Sequence, residues 1–370
     1  LATYAPALAL EQATGLPLSF TILCTGTLTT VYTTFGGMKA VIWTDVMQLL
    51  VLLGGQMIVA WTALSRVPGG LGRVAEISAA SGDWTVSLSL DPTVRLTLWG
   101  LLFGSAFMHL VQMATDQVSV QRYLTAKSLK EASQGLWIKL AMVLPVTAVF
   151  YGTGLILRAF YETHGDPLAS GRIAKADQIL PYFVVSELPA GFPGLFIAAI
   201  FAASMSTISA GINSLTSATL IDFYQRLLPE ADHSEARQLS LARRLTFFYG
   251  ALVIVLAFLV QFLGTLLEAS NTVIGLVGGP LLGLFFLGIG VGRATGRGAL
   301  IGWSAGVLTL GLVWWKTNVS FLWFAMIGCV TTITVGGLAS LLERAPESAR
   351  IGPLTWAGHR AEPDPVGPRS

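Results

Sequence analysis

Residues 201–221 read FAASMSTISAGINSLTSATLI, and the fold follows from what that stretch holds and what it lacks. It carries no charge over 21 positions, enough to cross a hydrocarbon core of roughly 30 Å at about 1.5 Å per residue. It is not plainly oily, because Ser204, Ser206, Thr207, Ser209, Asn213, Ser214, Thr216, Ser217 and Thr219 all fall within it. Inside lipid, each backbone N–H and C=O must be bonded within its own segment or in a closed barrel. The stretch lacks the two-residue alternation of a barrel strand, so it reads as a membrane helix.

The same reading extends outward. Hydrophobic residues make up 53% of the 370-residue chain and charged residues 11%, with a mean hydropathy of +0.68. A water-soluble domain carries about 25% charged residues, so there is too little charge here for a surface that faces water. Hydropathy predicts about nine transmembrane helices, over residues 16–36, 41–64, 97–119, 135–158, 193–224, 243–265, 268–291, 298–315 and 319–342. The result is an all-α membrane protein with one transmembrane domain, 1–342, and a tail, 343–370. That tail is rich in Pro, Gly and charge and is expected to be disordered. Fourteen Lys and Arg lie in the tail and in the loops holding Lys39, Arg122, Arg226 and Arg293, against seven in the loops holding Arg66, Arg158 and Lys316. This bias predicts a cytoplasmic C-terminus. A net charge of +2 gives no basis for nucleic-acid binding. Cys24 and Cys329 both lie in apolar runs and are expected to be small buried hydrophobes, neither a disulfide nor a metal pair. The chain opens at Leu1 in what looks like the end of a helix, and is expected to lack an N-terminal part.

Four features could carry chemistry. In the 201–221 helix, Ala203, Ser206, Ala210 and Asn213 share one stripe, flanked by Thr207 and Ser209. A sodium ion leaving water needs several oxygens in exchange, which neutral hydroxyls and free carbonyls can supply. Small hydroxylated residues also permit close helix packing and bond back to the helix, and both readings fit. Asp45, in AVIWTDVMQLL, is an ionisable group near the start of a span; it is either an intramembrane functional carboxylate or an interfacial one favoured by the helix N-terminus. The run QMATDQVSVQR (112–122) interrupts an apolar helix at Asp116 and Gln117, as a cavity, a break or an exit from the membrane would. Asn271 precedes the glycine-rich IGLVGGPLLGLFFLGIG, where Pro280 could mark a kink or unwound segment, or the glycines could serve close packing. Phosphate-loop and HExxH patterns are absent from the sequence, and the GWSAG string at 302–306 lies inside a predicted span, not at the strand-to-helix turn of a nucleophile elbow, so no enzyme is indicated.

Several strings, in order, resemble the sodium/solute symporter family: YAPALAL (4–10), GGMKAVIWTDVMQ (36–48), TDQVSVQRY (115–123), PGLF (193–196) and the hydroxyl-rich helix. The first two look most like the branch of iodide, multivitamin and monocarboxylate carriers. NSLTSATLIDFY (213–224) and ATGRGALIG (294–302) look more like bacterial members. The resemblance implies a five-plus-five inverted-repeat (LeuT-like) transporter fold in a plasma membrane, here a bacterial inner membrane. The N-terminal core helices would be missing, and core helices four to ten plus two more would be present. It implies sodium-coupled import of a small solute, with a monocarboxylate or similar organic anion foremost and an inorganic anion, vitamin or sugar acid behind it. Sodium is then the coupling ion and no other cofactor is implied. The partners are sodium, the solute and the lipid bilayer.

Carried over residue by residue, Ala203 (carbonyl), Ser206 and Thr207 (hydroxyls) match the family's common sodium site. Asp45 and Ser209 match two groups of a second sodium site found in some members, but Ala210 stands where another hydroxyl would be, which puts that site in doubt. Asn271 and Asp116 fall at substrate-contacting positions, with Gln112 and Gln117 beside Asp116. Gln112–Met113 replaces the aromatic pair of sugar carriers, which argues against a sugar. The rival reading is a symporter-like sensor domain of a signalling receptor; a kinase domain encoded in the same gene would favour it.

Overall fold

The structure is a computed structural model. It describes residues 1–35, 38–82, 85–124, 126–228, 234–260, 262, 265–344 and 355, without the side chains of 35, 38–46, 48, 121, 122 and 124. Nearly all the described residues are helical. In chain order the helices are α1 (Tyr4–Thr14), α2 (Leu18–Phe35), α3 (Met38–Ser65), α4 (Gly70–Ala80), α5 (Ser105–Leu110), α6 (Gln117–Leu124) and α7 (Leu129–His164). They continue with α8 (Ile179–Glu187), α9 (Phe192–Ala218), α10 (Glu235–Val260), α11 (Leu266–Gly290), α12 (Gly296–Lys316) and α13 (Phe324–Leu341). π-Helical segments flank α5 at Gly100–Gly104 and Val111–Thr115, and another extends α9 over Thr219–Gln225.

Among the described residues, six helices are long and apolar enough to cross a membrane: α7, Phe192–Gln225, α10, α11, α12 and Phe321–Leu341. That is fewer than nine, and three of the predicted spans account for the difference. α2 forms where expected, but its threonines dilute its hydropathy. α3 (Met38–Ser65) forms over the predicted 41–64 span, but the side chains of 38–46 and 48 lie outside the described residues; its described part, Leu49–Ser65, meets Gly70–Ala80 of α4 at 90°. The turn between them uses Gly69 and Gly70 at φ 91° and 55°, a region that favours glycine. The predicted 97–119 span runs only over Gly100–Thr115 before Asp116 leaves helical geometry at ψ 117°.

The chain divides into two compact units. The first holds residues 1–84 and 126–266, thus α1–α4 and α7–α10. Its best-packed region joins α3, α4, α7, α8 and the start of α9 around Phe160, whose ring meets Phe183 edge-on at 5.1 Å. Elsewhere in this unit α2 lies against α10 without room for larger side chains. A Cβ on Gly26 would fall 2.3 Å from Ile254, and one on Gly250 would fall 2.2 Å from Thr30. Thr21, Thr25, Thr29 and Thr33 are buried at four-residue spacing, and each donates its hydroxyl to a carbonyl within α2. Such back-bonding satisfies hydroxyls where no water reaches them.

The second unit holds residues 85–125 and 267–370, thus α5, α6 and α11–α13. Here glycines set the packing. Gly302 of α12 lies against the backbone of Thr332 and Gly336 in α13, and Gly275, Gly279 and Gly283 of α11 meet the same helix. Pro280 sits inside a continuous α11 and packs beside Gly328 and Gly306. The unwound segment that its sequence admitted is not formed, and the glycines serve close approach. Cys329 is buried as expected, whereas Cys24 is exposed on α2. Apart from residues 343, 344 and 355, the tail at 343–370 lies outside the described residues.

Candidate functional site

The hydroxyl-rich helix begins at a sharp turn. Gly191 takes φ 101°, and Pro193 follows within the first helical positions, where its missing N–H has no partner to lose. From there α9 runs unbroken through Ala203, Ser206, Thr207 and Ser209. The Thr207 hydroxyl donates to the Ala203 carbonyl at 3.0 Å. These are two of the three oxygens expected to hold sodium, and their bond is the same four-residue back-bond that the α2 threonines make. An ion about 2.4 Å from both, a distance typical of calcium, which is close to sodium in size, would see them about 80° apart. That angle suits five- or six-fold coordination, provided the Thr207 proton turns away.

Residue exposure orders the rest of this face. Thr207 is exposed, Ala203 and Ser206 are half-buried, and Ser209 is only 3% exposed. At about 100° per residue Ser209 lies some 200° from Thr207, on the opposite side of the helix. The structure therefore groups Ala203, Ser206 and Thr207 and sets Ser209 against the packed side with Ile208 and Ile212. Asp45 lies within α3, but its side chain is outside the described residues, so the pair Asp45–Ser209 is not placed. Toward its end α9 is tied to α10: Thr219 meets the Tyr249 hydroxyl at 2.5 Å and Gln225 donates to Gln238 at 3.1 Å.

The residues expected to touch substrate belong to the second unit. Gln112 is exposed on the second π-helical segment, and Gln117 is exposed at the start of α6. Between them Asp116 caps α6, its carboxylate accepting from the Val118 amide at 3.3 Å and the Ser119 hydroxyl at 3.0 Å. Asn271 is half-buried on α11. Arg95 pairs with Glu268, and a Cβ on Gly278 would meet Val111 at 2.2 Å, so the 98–115 helix and α11 run side by side in the same direction. Asn271 then sits seven residues, about 10 Å, before the level of Val111, while Asp116 lies five residues beyond it. Gln112, Asp116 and Gln117 come together at one break, and Asn271 stands apart from them.

Sequence reasoning missed the π-helical segments, for which no residue pattern is diagnostic; such segments recur at functional sites. It also missed a cleft of about 780 Å³ at the C-terminal end of α7, lined by Leu157, Arg158, Tyr161, Glu162, Asp166 and Asp177 among others. Most of its charges are engaged locally: Arg158 donates to Ser81, Asp166 accepts from Leu168 and Asp177 accepts from Leu266.

Comparison with known proteins gives this geometry a context. A family model described as the sodium:solute symporter family matches residues 2–306. The chain is 40% identical over 309 residues to a sodium-dependent multivitamin transporter of Oryctolagus cuniculus, covering 82% of this chain and 48% of that protein. It is 37% identical over 310 residues to the sodium-coupled monocarboxylate transporter 1 of Homo sapiens, covering 82% and 50% respectively. It is similar to a solved structure of a Na+-coupled sialic acid symporter in a substrate-bound outward-open state, with a TM-score of 0.79 at 30% identity over 93% of this chain and 71% of that one. The chain spans about half the length of the curated relatives it matches.

Proposed function

Because the chain belongs to the sodium:solute symporter family, a family of multi-pass membrane transporters with the LeuT-like fold, we propose that it is part of a sodium-coupled importer of a small organic anion such as a monocarboxylate. The observation that carries this reading is the family match over residues 2–306, with Ala203, Ser206 and Thr207 close together on an uncharged face of α9. A neutral set binds sodium without trapping it, and two or three further oxygens complete the shell. One charge moving through 100 mV releases about 2.3 kcal/mol, roughly a fiftyfold accumulation before the sodium gradient is counted. Ion entry stabilises the substrate-binding state, and release of both follows inward opening.

The substrate class rests on similarity to multivitamin and monocarboxylate transporters and on the chemistry of the broken helix. Gln112 and Gln117 offer neutral amide donors to a carboxylate, Asn271 stands apart from them, and Asp116 maintains the break as the cap of α6. An Asp charge already answered by an amide and a hydroxyl repels an anion less than a bare one would. Asp45 and Ser209 remain the proposed groups of a second sodium site. The Lys and Arg asymmetry supports a cytoplasmic C-terminus, and the strings at 213–224 and 294–302 support a bacterial inner membrane, with the lipid bilayer as the surrounding partner. Uptake into proteoliposomes bearing the intact protein, screened against acetate, lactate, pyruvate and a sugar, tests the assignment. Sodium-driven carboxylate uptake supports it; sodium-driven uptake of the sugar alone overturns the substrate class.

A further inference from the structure

In the second unit the connection ahead of the 98–115 helix is not a slack loop. Ser87 bridges to Thr97, and the Leu98 amide donates to the Ser87 carbonyl at 2.8 Å. The Trp99 indole donates to the Leu88 carbonyl at 3.2 Å, and buried Thr97 accepts from the Gly100 amide at 3.0 Å. This folded strap is fastened to two other helices by bonds of different kinds. Ser320, buried just before α13, donates its amide to the Pro92 carbonyl at 2.9 Å and its hydroxyl to the Arg95 carbonyl at 2.8 Å. Those bonds are neutral, sheltered and doubled. The link to α11 is an ion pair, Arg95 Nη2 to Glu268 Oε1 at 2.5 Å, with the Arg95 side chain 62% exposed.

We infer that Arg95 and Glu268 are positioning residues that form a releasable catch, holding the first turn of α11, and with it Asn271 one turn on, against a strap anchored on α13. The inference rests on the transport reading for its purpose and on geometry for its existence. A doubled neutral anchor beside a single exposed ion pair suits a helix that must yield when solute enters or leaves. The weakness of exposed ion pairs is what such a catch requires: it shifts an open–closed equilibrium by about two- to fivefold without locking it. Nothing in a merely structural role demands that the contact be ionic.

The test uses the intact protein with a cysteine replacing half-buried Thr272 in a Cys24→Ser background, labelled from outside by a membrane-impermeant thiol reagent. Arg95→Glu and Glu268→Arg are each expected to speed labelling about two- to fivefold, and the charge-swapped double variant to return it to the parent rate. Arg95→Gln and Glu268→Gln, milder changes, are expected to match the single reversals and serve where those do not fold. Unchanged labelling in the single variants, or a double variant labelled as fast as the singles, overturns the catch. Labelling needs no transport, so a protein that follows this pattern yet shows no sodium-driven uptake keeps the catch and loses the transport reading.

Discussion

Replacing Gly302 by alanine should loosen the α12–α13 seam, and the size of the effect can be worked from the contacts. The added Cβ would lie 2.5 Å from the Thr332 carbonyl oxygen, 2.7 Å from Gly336 Cα and 2.8 Å from Gly336 N. All three are backbone atoms, so no side-chain rotation relieves the overlap and the helices must separate by about 0.5–0.9 Å to restore ordinary contact. Such overpacking costs about 1–3 kcal/mol. Alanine returns about 0.5–1 kcal/mol through its helix preference, leaving a net loss of up to about 2.5 kcal/mol with a midpoint of roughly 1.3. Gly311, nine residues along the same helix, has nothing within 4 Å of its Cβ position, so Gly311→Ala carries only the favourable part. Thermal unfolding of the intact protein in detergent, followed by tryptophan fluorescence, should show Gly302→Ala melting a few degrees below the parent and Gly311→Ala at or above it. Equal stability of the two variants would refute the backbone-to-backbone seam.

Other consequences are as specific. Asp116→Asn keeps a cap oxygen for α6 and should change stability by only a few tenths of a kcal/mol with most uptake retained, while Asp116→Ala should cost about 0.5–2 kcal/mol; loss of uptake in the Asn variant at full stability would show that the charge itself is needed. Tyr249→Phe removes the hydroxyl that meets Thr219 at 2.5 Å and should lower stability by about 0.6 kcal/mol, up to ~1.7, measurable by the same unfolding assay. Gly250→Leu drives a side chain into Thr30 across the α2–α10 contact; poor recovery of folded protein on size exclusion is expected, and recovery equal to the parent would contradict that packing.

The fold was legible wherever length and apolarity alone decide, as in α7, α9, α10 and α12, because lipid leaves a long uncharged segment little choice but a helix. It was less legible where a tertiary partner decides. Pro280 and its glycines suited both an unwound segment and a tight seam, and only the neighbouring Gly328 and Gly306 favour the seam. The break at Asp116 was visible as polarity, but its nature was not, since the carboxylate bonds to residues two and three positions on. In the candidate site, helical spacing sets Thr207 and Ser209 as flanks of one stripe. Which flank packs and which stays open depends on α9's neighbours, which no spacing reveals. The catch at Arg95 and Glu268 joins residues far apart in the chain, each of which by itself looks like an ordinary loop or helix-end charge.

The central claim is that α9 carries the coupling sodium. Its most direct test is the sodium concentration for half-maximal uptake in Thr207→Ala, Ser206→Ala and Thr207→Ser. Losing one oxygen that faces a charged ion costs about 1.5–3 kcal/mol, so the two alanine variants should need at least tenfold more sodium, while Thr207→Ser, which keeps the hydroxyl, should stay close to the parent. An unchanged sodium requirement in both alanine variants would contradict the account.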